Sequence, residues 1–186
     1  MSQQFIDGFK PSGEQLQEAT LKWASDRGII QNGKAITQVQ KLASEVGELM
    51  DNIAKDRDIK DDVGDCIVVM VNIAGILGIN IHCSMVTVQR HNINHKPTWS
   101  RNQVSTDILS TLGTLAHSIH CDAGGEHYTE IVGEHIMSMF MHLSSLLLTY
   151  KGFDLIDCWL HAYNDIKDRR GYLNENGNFI KEGDVE

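Results

Sequence analysis

Apolar residues recur at helical spacing along most of the chain. Leu16, Ala19, Trp23 and Ala24 form one stripe behind Pro11, with Ser12 and Gln15 placed as an N-terminal capping pair, and the stripe fades at Gly28. After a loop around residues 31–34, Val39, Leu42, Ala43, Val46, Leu49, Met50 and Ile53 predict a second helix over about 37–54. Asp56 to Asp58 turn the chain into a third helix. Its residues 66–81 are apolar nearly all round, as in a helix covered on most sides, and Gly78 is placed to end it. A fourth helix is predicted over about 80–91, followed by the polar connector HNINHKPTWS.

The second half repeats this pattern weakly but in order. With one residue of slip, residues 109–119 lie over 42–53, and IVGEHIM at 131–137 resembles DVGDCIV at 62–68. A helix is expected over 128–151, broken by Gly152, and Asp154 can cap another running to about Arg170. Asn176-Gly177 between short apolar pairs favours a small hairpin or turn. The expected fold is all-α, a helical bundle built from two fused repeats with a hairpin tail. Residues 1–96 form the first repeat, and residues 97–186 carry the degenerate second repeat, a final helix and the tail, all in one intertwined unit.

The candidate chemistry sits in the first repeat. Glu45 and Glu48 stand three apart on one helix, and Asp62 and Asp65 three apart on the next, so each pair can point both carboxylates at one spot. Solvated helix charges have the same spacing, but the apolar flank of Asp65 weighs against that reading. Four carboxylates converging near a core repel one another and lose hydration, so they must take up protons or bind cations. An all-oxygen donor set suits Mg²⁺, with Mn²⁺ able to substitute. Lys41, one turn before Glu45, and Asn72, two turns after Asp65, could reach a substrate bound there, although a surface charge and a helix-capping or core amide fit the same positions. Trp23 is either core or the wall of a base pocket.

With 16 basic and 25 acidic side chains, the net charge of −9 argues against a sequence-independent duplex binder. The four cysteines are widely spaced without a CxxC pair, which fits a reducing cytoplasm. The opening MSQQFIDGFK lacks the pattern of an export signal, and the longest apolar run falls short of the ~20 residues of a membrane span. No P-loop or GxSxG elbow occurs. His117, His120 and Cys121, with His127, Glu130, Glu134 and His135 nearby, are the best cluster for zinc, but their spacing matches no closed zinc module.

The pattern Q-x-x-K-L-x-x-E-x-G-E-L at 38–49, then D-D-x-G-D at 61–65, resembles the MazG-type nucleoside triphosphate pyrophosphohydrolases. WASDRG at 23–28 extends the likeness, and AYNDIKDRRGYLNENGNFIKEGD at 162–184 is similar to the end of short bacteriophage-type members. The resemblance implies an all-α, oligomeric enzyme with a four-carboxylate magnesium site at Glu45, Glu48, Asp62 and Asp65. It would split a nucleoside triphosphate, with (d)GTP the first to try, into a monophosphate and pyrophosphate. Asp62 stands where the family usually has Glu, which leaves open a catalytically silent nucleotide-binding protein. A related enzyme acting on phosphoribosyl-ATP or an alarmone is a further alternative. A triphosphate also needs local cations in so acidic a chain. Asn164, Lys167 and Arg170, at one-turn intervals, and Lys181 are the candidates, although cations at a helix C-terminus also offset its dipole. In the second repeat the acids become Thr111, Thr114 and Ile131, leaving Glu134 alone, so that copy is expected to keep its packing and lose its metal.

Overall fold

The computed structural model describes residues 10–81, 99–121, 125, 127–150, 152–177 and 179–183. The helix expected over 80–91, most of the connector with Pro97, the loop after Cys121 in large part, Cys83 and the opening nine residues lie outside them. The described part is mostly helical: α1 (Gly13–Asp26), α2 (Ile29–Asn32), α3 (Ala35–Ala54), α4 (Lys60–Leu77), α5 (Arg101–Cys121), α6 (Tyr128–Leu147) and α7 (Leu155–Ile166). Two short strands follow, β1 (Gly171–Leu173) and β2 (Phe179–Lys181).

The capping signals act as expected. Ser12 Oγ accepts from Gln15 N–H at 3.2 Å while Gln15 Oε1 accepts from Ser12 N–H at 2.8 Å. Asp154 Oδ1 accepts from the N–H groups of Ile156 and Asp157, and Asp157 returns the bond, closing a second box on α7. Gly28 (φ +73°) and Gly78 (φ +68°) adopt the left-handed conformation that ends α1 and α4 without a Cβ clash. The four-residue α2, where only a loop is predicted, buries Ile29; it is too short to carry a periodic signal.

The all-round apolar α4 is the central helix, packed against α1, α2, α3, α6 and α7. Its approach to α7 is close at Gly64, where a Cβ would stand 2.3 Å from the Cys158 carbonyl oxygen and 2.7 Å from Ala162 Cβ. Trp159 on α7 is fully buried and donates its Nε1–H to Thr20 Oγ1 on α1 at 3.0 Å, satisfying the indole in the core. α5 and α6 form a second helical hairpin that meets the first through α3 and α4. Arg101 closes the corner between them, bonding Asp56 Oδ1 at 2.6 Å and stacking 4.2 Å above the Tyr150 ring.

Two helices end earlier than their patterns suggest. α6 stops at Leu147 and the next residues tighten into a turn, with Tyr150 N–H bonded to the Leu147 carbonyl. α7 stops at Ile166, not near Arg170. Beyond it the Arg27 guanidinium, stacked on Trp23, donates to the carbonyls of Lys167 (3.2 Å) and Arg169 (2.8 Å), so these acceptors are satisfied outside a helix. The tail is an antiparallel pair in the register Gly171↔Lys181, Tyr172↔Ile180 and Leu173↔Phe179. Its Asn176-Gly177 turn docks on α3, where Thr37 Oγ1 donates to the Asn176 carbonyl at 3.3 Å. No helix among the described residues is long and apolar enough to cross a membrane.

Candidate functional site

The first helical hairpin, the end of α1 and the C-terminal tail enclose a cavity of about 620 Å³. Helical spacing explains what α3 and α4 contribute. Gln38, Lys41, Glu45 and Glu48 form one stripe of α3, and Asp61, Asp65, Val68, Val69 and Asn72 form the facing stripe of α4. Trp23, Ile29, Ile166, Arg169, Asn174, Phe179, Ile180 and Lys181 complete the lining, with Phe179 set edge-on to Trp23 at 5.9 Å.

One end of this cavity is strongly acidic. Glu45 is buried on α3, and its carboxylate pairs with Lys41 one turn earlier. The Asp65 carboxyl is pushed up to about 7, first by burial and then by the negative charges of Glu45 and Asp61, against a smaller pull from Arg169 and Lys41. Burial also raises Asp62. The Asn52 amide offsets part of this by donating to both Asp62 oxygens (3.1 and 2.9 Å), while Asp61, Glu48 and Glu45 add repulsion. The buried Cys66 thiol is held well above its usual range, first by burial and then by the charges of Glu45, Asp65, Asp62 and Glu48.

The predicted residues divide as follows. Glu45, Glu48, Asp65, Lys41, Asn72, Trp23 and Lys181 line the cavity together. Asp62 turns to Asn52, and Asp61 occupies the wall in its place, because Asp61 and Asp65, four apart, share the face that α4 presents there. Lys167 donates to Asn164 Oδ1 at 3.0 Å on the exposed surface, away from the cavity lining. Arg170 lines a separate, open hollow with Asp26, Arg27, Tyr172 and Glu182. A face shared by Asn164, Lys167 and Arg170 requires a helix as far as residue 170. Once α7 stops at Ile166 that spacing no longer applies, and Arg169 turns inward instead. No periodic signal marks Arg169, whereas Gln38 already stood in the Q-x-x-K-L pattern.

Among the described residues, ligand atoms of Asp61, His161 and Asp165, all exposed, lie within 4.8 Å of one another. Glu45, Glu48, Asp62 and Asp65 share an electrostatic neighbourhood without forming so close a group. The residues considered for zinc pair off locally: Cys121 Sγ with His117 Nδ1 (3.6 Å), Ser118 Oγ with His135 Nε2 (3.1 Å), and His127 Nδ1 with Glu130 (3.2 Å).

No family model matches the chain, and no solved structure matches it. Over 63 residues the chain is 41% identical to a protein of Haemophilus phage HP1 (strain HP1c1) described as an uncharacterized 18.2 kDa protein in the rep-hol intergenic region. The matched stretch is 33% of this chain and 39% of that protein, so the likeness spans well under half of either.

Proposed function

We propose that the cavity is the active site of a Mg²⁺-dependent nucleotide pyrophosphohydrolase. The enzyme would cleave a (d)NTP between the α and β phosphates, giving a (d)NMP and pyrophosphate, with (d)GTP the first substrate to try. The observation that carries this reading is the meeting, in one cavity, of a repelling carboxylate set with three cations from different elements: Lys41, Arg169 and Lys181. A carboxyl held near 7 by burial and then by its acidic neighbours is relieved by a hard cation, and an oxygen-only donor set fits Mg²⁺ or Mn²⁺. Glu45, Glu48, Asp65 and Asp62 would hold it, the last after release from Asn52, with Asp61 beside them. When bound, Mg²⁺ shields phosphate charge and lowers the pKa of a water. Lys41, Arg169 and Lys181 neutralise the remaining phosphate charge, and Trp23 with Phe179 walls the apolar end. Glu45 takes the proton of the attacking water.

The chain's second helical hairpin, with Thr111, Thr114, Ile131 and Glu134 at the corresponding positions, serves in this reading as a structural copy. The working compartment is the cytoplasm, that of the host if the chain is phage-encoded, and the assembly is a homo-oligomer. A second reading, a silent nucleotide-binding protein, draws on the engagement of both Asp62 oxygens by Asn52.

Pyrophosphate release separates the two. The panel contains all common NTPs and dNTPs, phosphoribosyl-ATP and an alarmone, each with MgCl₂ or MnCl₂. The hydrolase reading expects pyrophosphate and a monophosphate in equal amounts from at least one nucleoside triphosphate. Binding without release from any of them would refute it.

A further inference from the structure

Asp61, His161 and Asp165 each present a ligand atom at the surface, and the three atoms lie within 4.8 Å of one another. They come from two helices, Asp61 from the first turn of α4 and the other two from α7. His161 and Asp165 stand four apart and so share one face of α7. The opposite face fixes that one in place: Trp159, Ala162, Tyr163 and Ile166 are buried in the core, and the Asp154–Asp157 box holds the start of the helix. On α4, Gly64 carries no side chain where the Cys158 carbonyl and Ala162 come closest, which lets the two helices approach. The three side chains are therefore brought together by packed helices, and ligands on rigid elements are placed more firmly than ligands on loops.

The spacing within the cluster is that of ligands around an ion. His161 Nε2 and Asp61 Oδ1 face each other at 3.6 Å. That is too long for a hydrogen bond between nitrogen and oxygen. Ligand atoms held about 2.0–2.2 Å from one zinc ion stand roughly 3–3.5 Å apart, so this pair is close to the separation that a shared ion requires. Asp165 joins by side-chain rotation at an exposed position. The charge also fits. Two carboxylates and a neutral imidazole carry two negative charges, and among the described residues no lysine or arginine forms an ion pair with either carboxylate; Lys167, nearby on the chain, donates to Asn164 instead.

We propose that Asp61, His161 and Asp165 form a binding site for a divalent ion of the zinc type, separate from the all-oxygen set of the cavity. The imidazole makes the difference: it suits Zn²⁺, Co²⁺ or Ni²⁺, whereas Mg²⁺ favours carboxylates and water. Three protein ligands at the surface leave the remaining coordination positions to water, and the bound ion ties α7 to the start of α4. Neither the site nor its test draws on the nucleotide reading.

Calorimetry of ZnCl₂ on the full chain tests this in excess MgCl₂, which supplies the cavity acids with their own ion. The pH is set above the ordinary imidazole value, because a ligating imidazole must be neutral. Two variants remove one ligand each, His161→Gln and Asp165→Asn. Asp61 is left unchanged because it also lines the cavity. His117→Gln serves as the control for zinc held by Cys121 and its histidine neighbour. Each α7 variant should bind zinc about 10-fold or more weakly, and His117→Gln should stay within 2-fold of wild type. Without metal, both α7 variants should melt within about 2 °C of wild type, since the substituted side chains are exposed. Nitrogen NMR of the imidazoles, with His161 assigned by its absence from His161→Gln, should show its resonances moving with ZnCl₂ and not with MgCl₂. A wild type that binds no zinc would overturn the proposal. So would zinc affinity within 2-fold of wild type in either α7 variant, or His161 resonances that ZnCl₂ leaves in place, because the ion would then be held elsewhere.

Discussion

Neutralising Asp65 should stabilise the metal-free protein. The Asp65 carboxyl ionises near pH 7 in the fold against an ordinary value near 3.8, because burial and the charges of Glu45 and Asp61 oppose its ionisation. A raised carboxyl contributes no cost below pH 4, where both folded and unfolded chains are protonated. The cost grows as pH rises between about 4 and 7, where only the unfolded chain ionises, and is constant above that. The difference of about three pH units corresponds to roughly 4 kcal/mol, and solvent contact at the cavity mouth screens it to about 2 kcal/mol. For a chain of 186 residues that is a rise of about 4–8 °C in Tm for Asp65→Asn at pH 8 without divalent ions. At pH 4.5 the two proteins should melt within about 2 °C of each other. Differential scanning calorimetry at the two pH values, with EDTA and then with MgCl₂, reads both effects. Mg²⁺ should raise the Tm of the wild type and do so far less for the variant. An Asp65→Asn protein that melts no higher than wild type at pH 8, or whose advantage is as large at pH 4.5, would refute the electrostatic account of this site.

The cation assignments separate cleanly. Arg169→Ala should weaken nucleotide binding about 10-fold or more, while Lys167→Ala, whose ammonium faces Asn164 on the surface, should leave it within 2-fold; the reverse order in a binding titration would restore the helical-face argument. Glu134→Gln should change turnover less than 2-fold, and a loss comparable to that of Glu48→Gln would mean that the second hairpin takes part in the chemistry. Gly64→Ala should destabilise the fold by about 1–3 kcal/mol, since its Cβ meets the Cys158 carbonyl at 2.3 Å and must push α7 away from α4; urea denaturation with an unchanged midpoint would contradict that packing.

The helices of the first half were legible in the sequence because each carries its own local signal. The Ser12–Gln15 and Asp154 caps, the stripe from Val39 to Ile53, the all-round apolar α4 and the left-handed Gly78 all depend on residues within a turn or two of one another. The same periodicity brought Lys41, Glu45 and Glu48 onto one face and put Asp65 and Asn72 in register on the next helix. Which acid of the Asp61-Asp62 pair enters the cavity was not legible. Asn52, ten residues away on the other helix, holds Asp62, and only the packing of α3 on α4 brings the two together. The choice of Arg169 over Arg170 depends still more on the tertiary structure. Arg27, more than a hundred residues away in the chain, binds the carbonyls past α7 and ends the helical spacing on which the sequence argument relied. Local signals specify helices and the faces they share. The ends of those helices, and the side chains that cross between them, are set by hydrogen bonds whose partners are distant in sequence and adjacent only in the fold.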